Sequence, residues 1–416
     1  YFVGAAVFLL LFKNRPILSF IGLSLYATMP FLFTHAWSGL ETTLFTSSIL
    51  LSLYSYHIKA KNLFIIVITI LSLIRPEGLL LASLLILIFR PISWLRICLF
   101  AAVICGYLLI RWKYYGYLLP NTFYAKYDSL ENVETINQLF KFIKGFLLVP
   151  AIILVVGVRF SRDKIDYKLL VAMTIFLVVS GAVYSSSNLV MNYAERFFVP
   201  FYIVVVGLVA ILPKKMSFIT ILIMFILLTI QIVKNRNGYV RHKLSYYSST
   251  HYGVLTDEHI RIGKYLQNNI SNNEWLVVVS DAGAIPYYSK MNTIDCGELN
   301  DEYLAHSDYD SLEFRNYIYN HNPGVIVITS FKPNTISRND KAKYLSGDQR
   351  FNEYLLAGRI KSRFRKDYYQ FVYFRRELAE QLNIKEDSKI EPPKYDRGQL
   401  FEYRKSYKAP DYQPTA

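Results

Sequence analysis

Apolar residues run almost unbroken over 1–12, 17–35, 43–56, 62–74, 79–89, 94–110, 143–158, 168–184, 197–212 and 216–233, and then stop. Runs of this kind, separated by short polar connections, predict a polytopic α-helical membrane domain over 1–233. From about residue 240 the pattern changes to short β-branched runs alternating with helically spaced stretches. That alternation predicts a C-terminal soluble α/β domain over 234–388, and the Pro- and Tyr-rich stretch 389–416 reads as an irregular tail. Two apolar runs are short: as helices, 62–74 and 79–89 reach about 20 Å and 17 Å against a hydrocarbon core of about 30 Å. Either their flanks extend them, or they form a re-entrant pair that holds Arg75 and Glu77 at membrane depth. Ionisable groups there mark a site, because they are costly unless paired.

Within the soluble part, helical spacing at 256–270 precedes a strand at 275–280. Further strands are expected at 293–296, 325–328 and 371–374, with a helix at 310–321. Asp281-Ala282-Gly283-Ala284 at the end of the first strand has the look of a nucleotide-type turn, but it lacks the Gly-x-Gly-x-x-Gly series and the Walker lysine. The plainer expectation is that Asp281 caps the next helix.

The longest polar interruption of the membrane part is 111–142. Pro120 ends the helix before it, because proline cannot donate to the helical ladder and pushes Leu119 out of the α region. Asn121, Thr122, Tyr124 and Lys126 follow. Asp128 and Glu131 then read as the start of a helix, and the spacing of Leu130, Val133, Ile136, Phe140 and Ile143 predicts an amphipathic helix lying on the membrane surface.

Composition changes the picture in two ways. With 53% apolar and 16% aromatic residues, the chain is not an ordinary soluble protein. Its net charge of +15 does not argue for nucleic acid, because many of the cations sit in short connections. Lys13 and Arg15, Lys59 and Lys61, Arg90 and Arg96, Arg159 with Arg162, Lys164 and Lys168, and Lys214 with Lys215 fall on alternate connections, which the positive-inside rule places in the cytoplasm. The connections 35–42, 75–78, 111–142 and 185–196, and the α/β domain, then share the outer face. Arg111, Lys113, Lys126 and Lys141 run against that assignment. Cys98 and Cys105 lie about 10 Å apart along one helix, too far to pair.

The outer connections offer cations (Arg75, Lys126, Arg196), carboxylates (Glu41, Glu77, Glu195), an amide (Asn121) and many tyrosines. Cations suit a phosphate, aromatic faces and hydroxyls suit a sugar, and a carboxylate suits the deprotonation of an acceptor hydroxyl. Each residue also has a plainer reading. Arg75 and Glu77 can neutralise each other across a turn, Glu41 can serve the first turn of the helix from Thr42, Arg196 can snorkel to headgroups, and His35 and Trp37 can line an interface. No His or Cys cluster has metal-ligand spacing, so spacing names no metal ligands and leaves a divalent ion open. No Gly-x-Ser-x-Gly elbow is present.

Ser38-Gly39-Leu40-Glu41-Thr42, Arg75-Pro76-Glu77-Gly78, Tyr115-Gly116-Tyr117-Leu118-Leu119-Pro120-Asn121-Thr122-Phe123-Tyr124-Ala125-Lys126, Arg196-Phe197-Phe198-Val199-Pro200, Asp281-Ala282-Gly283-Ala284-Ile285-Pro286-Tyr287-Tyr288 and Gly297-Glu298-Leu299-Asn300-Asp301 come in this order along the chain. Together they resemble the motif series of bacterial GT-C membrane glycosyltransferases, in particular those similar to the mycobacterial terminal β-arabinofuranosyltransferase. The resemblance implies a GT-C-like bundle with an extracytoplasmic α/β domain, in the bacterial inner membrane. It implies transfer of a sugar, arabinofuranose among the choices, from a polyprenyl-phosphate donor to an envelope glycan or glycolipid acceptor. On that reading Arg75, Lys126 and Arg196 contact the donor phosphate, and Asn121 and Tyr124 contact donor or sugar. Glu41 and Glu77 are candidate bases, and Asp281 is the candidate of the outer domain. In GT-C enzymes the acidic base generally lies in the first outer loop. Tyr1 lies within an apolar run, so the chain is expected to begin mid-protein with the main base upstream. The alternative from a different class is a transporter or flippase of lipid-linked glycan.

Overall fold

A computed structural model describes residues 1–12, 14–37, 40–89, 92–124, 133–161, 164–187, 189, 192–212, 215–241, 257–271, 273–279, 281–336, 340–362 and 367–385. The chain divides into two units, residues 1–118 with 126–249 and residues 119–125 with 250–416.

The first unit is helical: α1 (Phe2–Phe12), α2 (Pro16–Thr28), α3 (Pro30–Trp37), α4 (Thr42–His57), α5 (Lys61–Ile74), α6 (Pro76–Ile88), α7 (Trp94–Tyr115), α8 (Val133–Arg159), α9 (Tyr167–Ser185), α10 (Val199–Ala210) and α11 (Phe218–Arg241). Among the described residues four helices are long and apolar enough to cross a membrane, namely Trp94–Tyr115, Val133–Arg159, Tyr167–Ser185 and Phe218–Asn237. Their outer faces remain apolar: Leu95, Leu99, Leu109 and Ile110 of α7 are exposed, as lipid-facing residues are. At the centre lies α10, buried at every position and packed on α2, α4 and α8. An element apolar on all sides needs such a shell.

Three expectations change. The run 17–35 is two helices rather than one, bent by 65° at Met29. Pro30 has no N–H to continue α2 and holds Met29 extended (φ −70°, ψ 111°), so α3 starts afresh there. The amphipathic stretch before the seventh run is not a separate surface helix. It continues into the span as α8 through a π-turn at Ile143–Leu147, which re-phases the apolar stripe without ending the helix. Asp128, its expected cap, lies outside the described residues. The last helix also runs on to Arg241, past the expected end at 233.

The second unit is a five-stranded sheet, β1 (Trp275–Val279), β2 (Asn292–Asp295), β3 (Val325–Ser330), β4 (Tyr354–Lys361) and β5 (Tyr369–Arg375), in the order β2-β1-β3-β5-β4. β1 is parallel to β2 and β3, while β5 is antiparallel to β3 and β4. Both faces are covered, which is why Val325-Ile326-Val327-Ile328 is apolar throughout. Leu276, Val278, Val325 and Val327 pack with Ile262 and Leu266 of α12 (Asp257–Asn269). Val277, Val279, Ile326 and Ile328 pack with Phe314, Ile318 and Leu345 on the other side. The helices that complete the unit are α13 (Ala284–Ser289), α14 (Glu302–His306), α15 (Ser311–Asn320), α16 (Asp340–Ser346) and α17 (Arg376–Gln381).

Candidate active site at the α5–α6 break

Arg75 joins α5 to α6. It precedes Pro76, so its backbone is extended (φ −147°, ψ 147°), and Pro76 opens α6 without needing an N–H partner. Its side chain is 6% exposed. The guanidinium lies 2.6 Å from Glu77 Oε1 through Nε and 3.7 Å from Glu41 Oε1 through Nη1. Nη2 donates to the Tyr184 hydroxyl at 3.1 Å, and Nη1 reaches the Arg196 carbonyl at 3.5 Å. The Tyr184 hydroxyl in turn donates to Glu77 Oε1. The ring of Phe197 receives two guanidinium groups, Arg75 at 5.1 Å and Arg196 at 4.6 Å. Phe45 lies against Arg75 at 5.3 Å.

Four residues singled out in the sequence therefore meet: Glu41, Arg75, Glu77 and Arg196. Arg75 turns its donors to two carboxylates, a phenol and a carbonyl. Glu41 occupies the residue before α4 and makes no capping hydrogen bond, so its partner is Arg75 and not the helix end. It is also the more exposed carboxylate, 39% against 13% for Glu77. Tyr184, from the last turn of α9, was not foreseen; its only sequence signal is a tyrosine at the end of an apolar run.

The turn Tyr193–Glu195 before α10 adds another carboxyl. Ala194 and Glu195 both have left-handed backbone, at φ 49° and 55°, an uncommon conformation for residues with a side chain and one that marks functional turns. The turn is pinned by His35 Nε2, which donates to the Ala194 carbonyl at 2.9 Å, and by Asn192, whose side-chain oxygen accepts from the Phe197 N–H. Asn192 Nδ2 also donates to Glu195 at 3.1 Å. Burial pushes the Glu195 carboxyl from the ordinary 4.5 up to about 7, against the opposing pull of Asn192 and Lys141. The folded protein therefore holds this proton more tightly than the unfolded chain does. The associated stability is complete below about 4.5 and is lost as pH rises through about 7. Wild type is expected to lose on the order of 1–3 kcal/mol over that window, and Glu195→Gln to lose none of it. Thermal unfolding in detergent between pH 4.5 and 8 measures this, and parallel curves for the two proteins would count against it.

The second unit holds Asn121, Tyr124 and Asp281. Asn121 and Tyr124 form a single helical turn (Asn121–Tyr124), with His306 Nε2 donating to the Asn121 side-chain oxygen at 3.1 Å and the Tyr124 ring 4.1 Å from the His306 ring. Lys126 lies outside the described residues. Asp281 does not cap α13, which starts from Gly283 without a side-chain bond. Instead its Oδ2 accepts from Thr329 Oγ1 at 3.0 Å and from the Tyr368 hydroxyl. Among the described residues no group of three His, Cys, Asp or Glu side chains is arranged to hold a metal ion.

A family model described as a domain of unknown function (DUF8728) matches residues 246–376, of which 250–376 belong to the second unit. No curated protein and no solved structure matches the chain.

Proposed function

We propose that the protein is an integral-membrane glycosyltransferase of the GT-C kind. It moves a sugar from a polyprenyl-phosphate donor to an envelope glycan or glycolipid acceptor, on the outer side of the bacterial inner membrane, with its α/β unit extracytoplasmic. The observation that carries this reading is the cluster of Arg75, Glu77, Glu41 and Tyr184 set in a break between two short apolar helices. Buried charges stabilise a fold poorly compared with apolar packing, so a bundle that needed only to sit in lipid gains little from them. In this reading Arg196 meets the donor phosphate, because Arg75 is committed to its carboxylates. Glu41 is the exposed carboxylate suited to an acceptor hydroxyl, and Glu195 titrates near neutrality within the neighbouring turn.

Arg196→Ala, Asn121→Ala and Lys126→Ala are each expected to lower transfer from a polyprenyl-phosphate sugar by about 100-fold or more, with unchanged thermal unfolding in detergent. Normal transfer by all three variants overturns the reading. The 65° bend between α2 and α3 favours a second one, because transporters place binding sites at broken helices. Detergent-purified protein separates the two: chemistry persists without compartments, and transport has no meaning there.

A further inference from the structure

Three helices that contribute to the cluster at the α5–α6 break also share their other ends. α4 begins after Glu41 and ends at His57, α9 ends in the turn of Tyr184 and begins after Asp166, and α10 follows Phe197 and ends at Ala210. The 16 residues of α4 and the 19 of α9 reach about 24 Å and 28 Å, close to the thickness of a hydrocarbon core. Their far ends therefore stand at the opposite membrane boundary. There they enclose a cavity of about 170 Å³, lined by Tyr56, Lys59, Asp166, Leu169, Leu208 and Leu212 among others.

Two charges of opposite sign are held at this cavity by one phenol. The Tyr56 hydroxyl donates to Asp166 Oδ2 at 2.8 Å, and the Leu169 N–H donates to Oδ1 at 3.1 Å, so Asp166 also caps α9. A carboxylate accepts about four hydrogen bonds, and Asp166 is exposed, so it has room for a further donor. Lys59 stands over the face of the same Tyr56 ring, with Nζ 4.4 Å from its centroid and 5.5 Å from that of Phe89. Its backbone is left-handed (φ 58°), a conformation that ends helices and favours glycine. Among the described residues Lys59 forms no ion pair, with Asp166 or with any other carboxylate. Its contacts with two rings leave the three ammonium protons unspent.

These groups narrow the ligand. A simple anion is repelled by Asp166 and a simple cation by Lys59, whereas a small group carrying both an ammonium and a phosphate satisfies the two together. The ammonium has to be primary, because a quaternary one has no proton to give to Asp166. The remaining wall is apolar: Leu169, Leu208 and Leu212 line it, and the carbonyls of Ile211 and Leu212 that end α10 accept from Arg15. Such a wall at a membrane boundary suits a lipid rather than a water-soluble zwitterion. The volume is comparable with the ~150 Å³ that takes a benzene-sized molecule, which is room for a headgroup while the chains stay in the bilayer.

We propose that this cavity binds the headgroup of a phosphatidylethanolamine from the leaflet opposite the candidate active site, with Asp166 accepting from its ammonium and Lys59 donating to its phosphate. The site stands whether or not the membrane unit transfers sugar. The test is native mass spectrometry of the full chain in detergent, titrated with dioleoyl phosphatidylethanolamine, phosphatidylglycerol and phosphatidylcholine. Phosphatidylethanolamine is expected to bind about three- to tenfold tighter than either of the others. Asp166→Asn keeps a good helix cap and removes the charge; it is expected to weaken phosphatidylethanolamine by about three- to tenfold and to leave phosphatidylglycerol no weaker. Lys59→Gly suits the left-handed backbone, so the fold is not put at risk, and it is expected to weaken both of these lipids by about three- to tenfold. Phosphatidylglycerol or phosphatidylcholine binding as tightly as phosphatidylethanolamine, lipid binding that ignores both variants, or soluble phosphoethanolamine competing as well as the lipid each overturns the proposal.

Discussion

Arg75→Ala is expected to destabilise the membrane unit by about 3–5 kcal/mol. The reason is what stays behind. Glu77 is nearly buried, and without Arg75 its carboxylate keeps only the Tyr184 hydroxyl. Tyr184 and the Arg196 carbonyl lose a donor at the same time. Arg75→Lys is expected to recover only part of the loss, because a point charge on a flexible stem cannot serve two carboxylates, a phenol and a carbonyl with one planar fork. The double change Arg75→Met with Glu77→Gln removes both buried charges and is expected to return most of the stability, while leaving the proposed transfer abolished. Thermal unfolding in detergent measures all three. If Arg75→Ala unfolds like wild type, the guanidinium does not hold the break together.

The parts of this site that were legible in the sequence are those where local chemistry is self-contained. Arg75-Pro76-Glu77-Gly78 stands out because charged residues interrupt two runs too short to span, and the proline fixes the backbone in place. Val325-Ile326-Val327-Ile328 reads as a strand because both faces of the sheet bury it. Tyr184 was not legible, since its contact with Arg75 spans 109 positions and depends on how α9 packs on α6. The left-handed pair Ala194–Glu195 was not legible either, because neither residue favours that conformation and the turn is held by the distant His35 as well as by Asn192. β4 went unseen for a related reason. Ala357 and Gly358 are poor strand formers, Arg359 and Lys361 are charged, and the strand carries an irregularity between Leu356 and Gly358. It is a strand because it lies at the sheet edge and pairs with β5. Asp281 was read as a cap from its immediate neighbours, and its true partners, Thr329 and Tyr368, come from β3 and the approach to β5.

Gly78→Ala is expected to cost about 3 kcal/mol, the upper end for overpacking, although it adds one methyl group and improves helix propensity. A Cβ at position 78 would stand 2.0 Å from the Leu71 carbonyl oxygen and 3.0 Å from the Phe45 ring. The first obstacle is backbone of α5 and cannot rotate away, so α5 and α6 would have to part. Phe45 lies under the Arg75 guanidinium, and the second obstacle therefore carries the strain into the ion-pair cluster. The proposed transfer is expected to fall together with stability, because the same shift moves Glu77, one residue before the substitution. Gly106→Ala in α7 is the matched comparison: nothing lies within 4 Å of a Cβ there, so the same methyl is expected to stabilise by up to about 1 kcal/mol. Opposite signs for these two substitutions in thermal unfolding would tie the cluster to the close crossing of its two helices. Equal, small effects would mean that α5 and α6 need no glycine to meet and that the geometry around Arg75 has another origin.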